Sequence, residues 1–133
     1  MILPVFRIKR WRKYTGRQPS LSTILLPKLG FNVLYQGGDG HGHNFWAIVG
    51  RDQIMLMFKH ITPEVHPQPN PSRHEWAAWD AYIFTNDPDS LYTEFLASNV
   101  PIHRKLANTG DGLRAFEITD NSGYVLCFGR PSV

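Results

Sequence analysis

The sequence predicts an α+β protein made of two βαβββ modules. Three observations support this fold class. Each half of the chain holds one helical pattern and several strand-like runs, the second half repeats the order of the first, and a proline-rich stretch separates them. We expect a first module at residues 4–60, a linker at 61–75 and a second module at 76–131, within one domain of 133 residues.

The first module starts in a basic segment. Residues 4–15 have an extended pattern but carry many charges, and residues 1–17 can form either a core strand or a basic arm. A short apolar helix follows in LSTILLPKLGF and ends at Gly30, since glycine is common just after a helix. Three strands come next, in FNVLYQ, FWAIVG and QIMLMFKH, separated by the turns GGDGHGHN and RD.

The linker and the second module are predicted from the same kinds of pattern. The linker ITPEVHPQPNPSRHE contains four prolines and few apolar residues. WAAWDAYIFT predicts a strand, and NDPDSLYTEFLASNV predicts a capped amphipathic helix with Leu91, Phe95 and Leu96 on its inner face. The strands PIHRKL, LRAFEIT and YVLCFGRP complete the module, with turns at NTGDG and DNSG.

The two modules align with each other in sequence. The helix end LGF at 29–31 precedes SNV at 98–100 by 69 positions, and IMLMFK precedes YVLCFG by 70 positions, which pairs Met57 with Cys127. Elements that recur at nearly constant spacing indicate a repeated supersecondary unit.

The formal net charge of +3 is unevenly distributed. Six basic side chains precede residue 18 with no acidic one among them, so the rest of the chain carries 8 basic and 11 acidic side chains, a charge of −3. A basic arm can contact nucleic acid or an anionic surface. The sequence lacks a helix-turn-helix pattern, a zinc finger and an aromatic RNA-binding signature. We therefore do not expect a nucleic-acid partner.

Composition also bears on location. One cysteine excludes an internal disulfide framework. No apolar run approaches the ~20 residues of a membrane span, and the first residues lack the long apolar segment of a secretory signal. We expect a cytoplasmic protein with no membrane partner.

Four stretches carry a resemblance to a known family: LGF with NVLYQ, the strand from Trp46 through AIVGRDQIMLMFKH, the second helix, and the ending ITDNSGYVLCFGRP. In their order and spacing the sequence resembles the vicinal oxygen chelate superfamily, the glyoxalase, extradiol dioxygenase and bleomycin resistance group. The resemblance covers residues 17–131 and is greatest to the bleomycin resistance proteins. It implies two βαβββ modules around a cupped mixed sheet, and a homodimer with ligand grooves at the subunit interface.

The resemblance also bears on metal binding. In the metal-dependent members, the ligands come from the first and last strands of each module, and the matching positions here are Met57, Cys127 and a position on or near Asp80. A thioether, a thiol and one carboxylate are not the oxygen and imidazole ligands that such a metal needs. We therefore expect no metal and no other cofactor, no catalytic residue, and a filling role for Cys127.

Aromatic and acidic side chains are the candidates for ligand binding. Strand alternation puts Asp80, Tyr82 and Phe84 on one face, where a carboxylate beside aromatic rings selects a cationic or hydrogen-bond-donating ligand. The other interpretation makes the aromatic residues core and Asp80 a strand-edge partner of an arginine. The candidate ligand-binding residues are Trp46, Trp76, Trp79, Asp80, Tyr82, Phe84 and Glu117.

The resemblance and these residues predict a binding protein of the bleomycin resistance type. It sequesters an aromatic ligand, cationic or neutral, in a groove at a dimer interface without turning it over, and so confers antibiotic resistance. The alternative is a metal-dependent enzyme of the glyoxalase or dioxygenase class, with an unconventional site that includes Asp80, His74 and Cys127.

Overall fold

The computed structural model describes residues 5–6, 28–38, 44–59, 66, 68–120 and 122–133. The chain divides into two compact units, Met1–Pro67 and Gln68–Val133. Each unit contains a four-stranded mixed sheet in which the last strand pairs in parallel with the first and antiparallel with the third. The predicted α+β class is confirmed. No helix within the described residues is long and apolar enough to cross a bilayer.

The first unit holds the sheet order β1-β4-β3-β2. Lys28 and Leu29 are helical, and Gly30 follows with φ +74°, as the helix-ending pattern predicts. The earlier part of the predicted helix and residues 7–17 of the basic segment lie outside the described residues. The strands are β1 Val5–Phe6, β2 Asn32–Gly38, β3 Asn44–Arg51 and β4 Ile54–Lys59.

The second unit has the equivalent order β5-β8-β7-β6 and one long helix. Its first helical turn lies inside the predicted linker. The elements are α1 Asn70–Arg73, β5 Ala81–Phe84, α2 Pro88–Ala97, β6 Ile102–Asn108, β7 Leu113–Thr119 and β8 Val125–Pro131.

The prediction of a strand from Trp76 to Thr85 was too long. β5 is four residues, Ala81–Phe84, and each pairs with β8. Upstream of it, Asp80 accepts hydrogen bonds from the backbone N–H groups of Asn70 and Val125 at 2.7 and 2.8 Å. The backbone N–H of Asp80 also donates to the carbonyl of Val125 at 2.8 Å, so contact with β8 extends back to Asp80 and the chain leaves the sheet upstream of it.

Helix α2 begins and ends with local hydrogen bonds. Asp87 accepts from the backbone N–H of Ser90 at 3.0 Å, which caps the first turn. At the other end Asn99 has φ +57°, and the N–H of Val100 donates to the carbonyl of Phe95 at 3.0 Å. Asn99 thus takes the left-handed conformation of Gly30, 69 positions earlier, so the aligned helix ends have the same backbone geometry.

One face of the second sheet packs against α2. The Phe95 ring meets Phe116 and Phe128 edge-on, at centroid distances of 5.7 and 5.3 Å, and Phe116 stacks on Phe128 at 5.5 Å. The prediction that Leu96 belongs to the inner face is wrong, because this side chain is 48% exposed. It lies about 100° around the helix from Phe95, and the inner positions at 88, 91, 92 and 95 follow the helical spacing instead.

Candidate ligand-binding site

Four side chains form a row across the second sheet. Cα pairing places Tyr82 of β5 beside Cys127 of β8, Cys127 beside Glu117 of β7, and Glu117 beside Arg104 of β6. Their chain neighbours Phe116 and Phe128 face α2, so strand alternation puts this row on the opposite side of the sheet. We call that side the distal face.

Glu117 is the most unusual group on the distal face. It is 4% exposed, yet no hydrogen bond to its carboxylate is present among the described residues. The nearest basic groups are Nε2 of His103, 3.8 Å from Oε2, and Nη1 of Arg104, 3.9 Å from Oε1. Both distances exceed that of a hydrogen bond. A buried carboxylate in this condition costs free energy that a bound donor can recover.

Cys127, beside Glu117, is buried and free. Burial, followed by the charge of Glu117, raises the pKa of its thiol to about 12. The thiol is therefore protonated at neutral pH and lacks the lowered pKa of an activated nucleophile.

Aromatic side chains lie along β5 next to this row. Tyr82 and Phe84 are 38% and 55% exposed, and Trp79 packs at a tilt against Tyr82 with ring centroids 5.9 Å apart. Burial raises the pKa of the Tyr82 hydroxyl, which keeps it a neutral donor. We call Trp79, Tyr82 and Phe84 the aromatic edge. It provides partly exposed rings on the same sheet as a buried negative charge.

The other predicted residues have different surroundings. Both oxygens of Asp80 accept backbone hydrogen bonds, with no arginine partner among the described residues. Trp76 is 82% exposed and stacks on His74 at 5.0 Å. Trp46 belongs to the first unit, where it stacks on Tyr35 at 5.3 Å. The second sheet thus brings together Trp79, Tyr82, Phe84 and Glu117 of the predicted set.

Two residues near Glu117 were missed by sequence reasoning as members of the site, His103 and Arg104. Only the pairing of β6 with β7 brings them to the carboxylate. The sequence repeat did offer an indication that these positions are equivalent to a pair in the first unit. Arg104 follows Tyr35 by 69 positions, and Glu117 follows Ile48 by the same number.

Asp120 is a second buried carboxylate, with a structural role. It is 7% exposed, and its Oδ1 accepts hydrogen bonds from the backbone N–H groups of Ser122 and Tyr124, both at 2.8 Å. Burial raises its pKa to about 6, although these backbone hydrogen bonds act in the opposite direction. Asp120 shapes the turn before β8.

The side chains of the distal face are poorly suited to a divalent metal ion. The residue that pairs with Cys127 on the first strand is Tyr82, two positions after Asp80. A phenol, a thiol with a pKa of about 12 and one carboxylate are poor ligands for a divalent ion that prefers oxygen and imidazole. Within the described ranges, no group of three or more His, Cys, Asp and Glu side chains is placed to hold a metal.

Comparison with known proteins shows likeness in structure. No protein-family model and no curated sequence matches the chain. TnmS3, an antibiotic binding protein from Streptomyces sp. CB03234, superposes with a TM-score of 0.64 at 18% identity, covering 98% of this chain and 95% of that one. A bleomycin resistance determinant encoded on transposon Tn5 gives 0.60 at 19% identity, covering 84% and 88%. A bleomycin-binding protein complexed with bleomycin gives 0.59 at 18%, covering 80% and 83%.

Proposed function

Because the chain has the fold of the glyoxalase and bleomycin resistance proteins, we propose that it is a binding protein that sequesters a flat aromatic cation. The ligand's ring packs on the aromatic edge, and its positive charge meets Glu117. The observation that carries this proposal is the carboxylate of Glu117, which is buried but has no hydrogen-bond partner within the described residues.

The buried carboxylate of Glu117 is the source of the expected gain in free energy. A buried charge is costly unless a counter-charge and hydrogen-bond donors accompany it. Arg104 provides a counter-charge at 3.9 Å but no hydrogen bond, so a cationic ligand that also donates hydrogen bonds removes a cost that the free protein bears. The aromatic edge adds ring stacking, worth about 0.5–1.5 kcal/mol for each favourable pair beyond the area buried. Charge and stacking together favour an aromatic cation over a neutral ring or an aliphatic amine.

The structural neighbours support binding rather than turnover. One is described as an antibiotic binding protein and another as a bleomycin-binding protein in complex with bleomycin. Antibiotic resistance by sequestration in the cytoplasm, without metal, is the corresponding role for this chain. The formal net charge of +3 does not attract a cation from a distance, so the local carboxylate has to provide the recognition.

A titration with two probes tests the proposal. Bleomycin and proflavine, a flat aromatic cation, are added to the wild-type protein and to the Glu117→Gln and Glu94→Gln variants. We expect Glu117→Gln to weaken binding by tenfold or more, since a charged hydrogen-bonding partner is lost. Glu94 lies on α2 and is exposed, so its variant controls for the change in net charge. Equal affinities of all three proteins for both probes would contradict the proposal.

The proposal includes a homodimer with the ligand groove at the subunit interface. Sedimentation velocity over a range of protein concentrations, with and without proflavine, measures the assembly state. We expect a dimer whose dissociation is suppressed by ligand, because a ligand held between subunits stabilises their association. A monomer at all concentrations would contradict the interfacial groove.

A further inference from the structure

The surroundings of Glu117 point to a particular kind of cation. Resting on the proposed function, we infer that the ligand's charged group is an amidinium or guanidinium, which displaces Arg104 and His103 from the two oxygens of Glu117. Arg104 then acts as a displaceable counter-charge, and His103 as a basic neighbour that the ligand also displaces.

Each oxygen of Glu117 has its own distant basic side chain. His103 lies near Oε2 at 3.8 Å and Arg104 lies near Oε1 at 3.9 Å. The side chains of His103 and Arg104 are 48% and 63% exposed, whereas that of Glu117 is 5% exposed. Both basic groups therefore keep much of their contact with solvent, and neither forms a hydrogen bond to the carboxylate.

Another arginine shows what a fully formed contact looks like in this protein. Arg114 donates to both oxygens of Asp89, from Nη2 at 2.6 Å and from Nε at 3.2 Å. Arg104 approaches only one oxygen of Glu117, and at a longer distance. Arg104 therefore attracts the carboxylate of Glu117 without forming a hydrogen bond to it. A donor that does form hydrogen bonds can replace it.

The geometry of a carboxylate favours a planar donor. An amidinium or guanidinium offers two parallel N–H groups that match both oxygens at once, while an ammonium acts as a point charge. Because both oxygens of Glu117 lack hydrogen bonds and are buried, a donor that satisfies both recovers more free energy than one that satisfies a single oxygen.

Three small probes distinguish the effect of the ligand's charge on affinity from the effect of its planar donor geometry. Benzamidine carries the planar amidinium, benzylamine carries an ammonium, and benzamide is neutral. We expect benzamidine to bind the wild-type protein about tenfold more tightly than benzylamine, which corresponds to one additional charged hydrogen bond. Benzamide binds most weakly. Isothermal titration calorimetry at constant salt measures all three.

Matched variants test the counter-charge role. We expect Arg104→Gln to strengthen benzamidine binding several-fold, since a competitor for Glu117 is removed. Lys105→Gln loses the same charge from the next residue of β6, which forms no ion pair with Glu117 among the described residues, and should leave the affinity unchanged. Equal strengthening in both variants would assign the effect to net charge and overturn the role of Arg104. Weaker binding in Arg104→Gln would overturn it as well.

The outcomes also distinguish this inference from the proposed function. If proflavine binds in a Glu117-dependent manner but benzamidine and benzylamine bind equally, only the choice of an amidinium fails. If Glu117→Gln binds proflavine as well as the wild type does, the proposed site itself fails, and this inference fails with it. Circular dichroism of each variant verifies that the fold is retained.

Discussion

The two sheets have equivalent strand pairing but carry different side chains. In each unit one residue from each strand forms a row across the sheet, in register with the other unit. The row of the second sheet is Tyr82, Cys127, Glu117 and Arg104, and the row of the first is Val5, Met57, Ile48 and Tyr35. The first row is apolar apart from the tyrosine hydroxyl. A repeated backbone therefore leaves side-chain chemistry free to diverge, and the candidate site arises in one unit only.

The largest expected effect of this divergence is on stability, at the sheet face that packs against α2. Phe116 corresponds by a 69-position offset to Ala47, and both are fully buried. We expect Phe116→Ala to cost about 3–5 kcal/mol of unfolding free energy, because Phe95 and Phe128 are packed around the ring. Urea denaturation measures the loss. Glu117→Gln, one residue along, serves as the comparison and should change stability by much less; equal losses would contradict the two-faced description of β7.

Cys127 and Met57 occupy equivalent positions, and the two positions should differ in the reactivity of a thiol placed there. With a pKa of about 12, against the ordinary 9.0, Cys127 should react with Ellman's reagent at pH 8 about a thousandfold more slowly than an unhindered thiol. As the matched control, Met57→Cys in the Cys127→Ser background places a thiol at the half-buried equivalent position, where we expect faster reaction. A rapid reaction of Cys127 would show that its burial or its pKa is misassigned.

The turns before the last strands also differ. The first unit uses a tight turn with Asp52 at φ +53°, whereas in the second the backbone N–H groups of Ser122 and Tyr124 donate to buried Asp120. The folded-state pKa of Asp120, about 6, lies above the ordinary 3.8, so the folded protein binds the extra proton. Its contribution to stability is therefore present below about pH 4 and declines by about 3 kcal/mol as the pH rises through 6.

Asp120→Asn tests that pH dependence, since the amide retains an oxygen acceptor but carries no charge. We expect the variant to lose less stability than the wild type between pH 4 and 7, as followed by chemical denaturation at several pH values. Parallel profiles for the two proteins would mean that Asp120 is not the group responsible.

The aligned helix ends give the smallest expected effect. Gly30→Ala should cost about 1–2 kcal/mol, because a side chain disfavours the left-handed backbone. In addition, the new Cβ would lie 2.8 Å from Nη1 of Arg51, which donates to the carbonyl of Leu29. Asn99→Gly should instead be neutral or stabilising by several tenths of a kcal/mol. Thermal melts of both variants check the contrast, and a tolerated Gly30→Ala would contradict the equivalence of the two ends.

The sequence is most informative where structure depends on local interactions. The cap at Asp87, the inward position of Phe95 and the left-handed ends at Gly30 and Asn99 follow from residue type and spacing alone. The repeat at 69 and 70 positions also predicts the pairing of equivalent strands, because a duplicated pattern requires a duplicated ladder.

Nonlocal contacts account for what was missed. The predicted strand is too long because contact with β8 extends back only to Asp80, whose partner Val125 lies 45 positions away in the chain. Glu117 was included as a candidate, but its burial and lack of hydrogen bonds depend on four strands meeting. Arg104 was missed although the 69-position spacing aligns it with Tyr35, because a repeat identifies equivalent positions but not the side chains that strand pairing brings together.

The position of β8 within its sheet has a consequence for how the second unit folds. This strand comes last in the chain order, yet it lies between β5 and β7 and is the only sheet partner of β5 within the described part of the chain. Neither β5 nor the anchoring contact of Asp80 can form until β8 is in place. The sheet therefore closes through contacts that are distant in sequence, and such topologies fold slowly, typically in milliseconds to seconds. A chain interrupted before β8 would leave two unpaired strand edges, which promote aggregation.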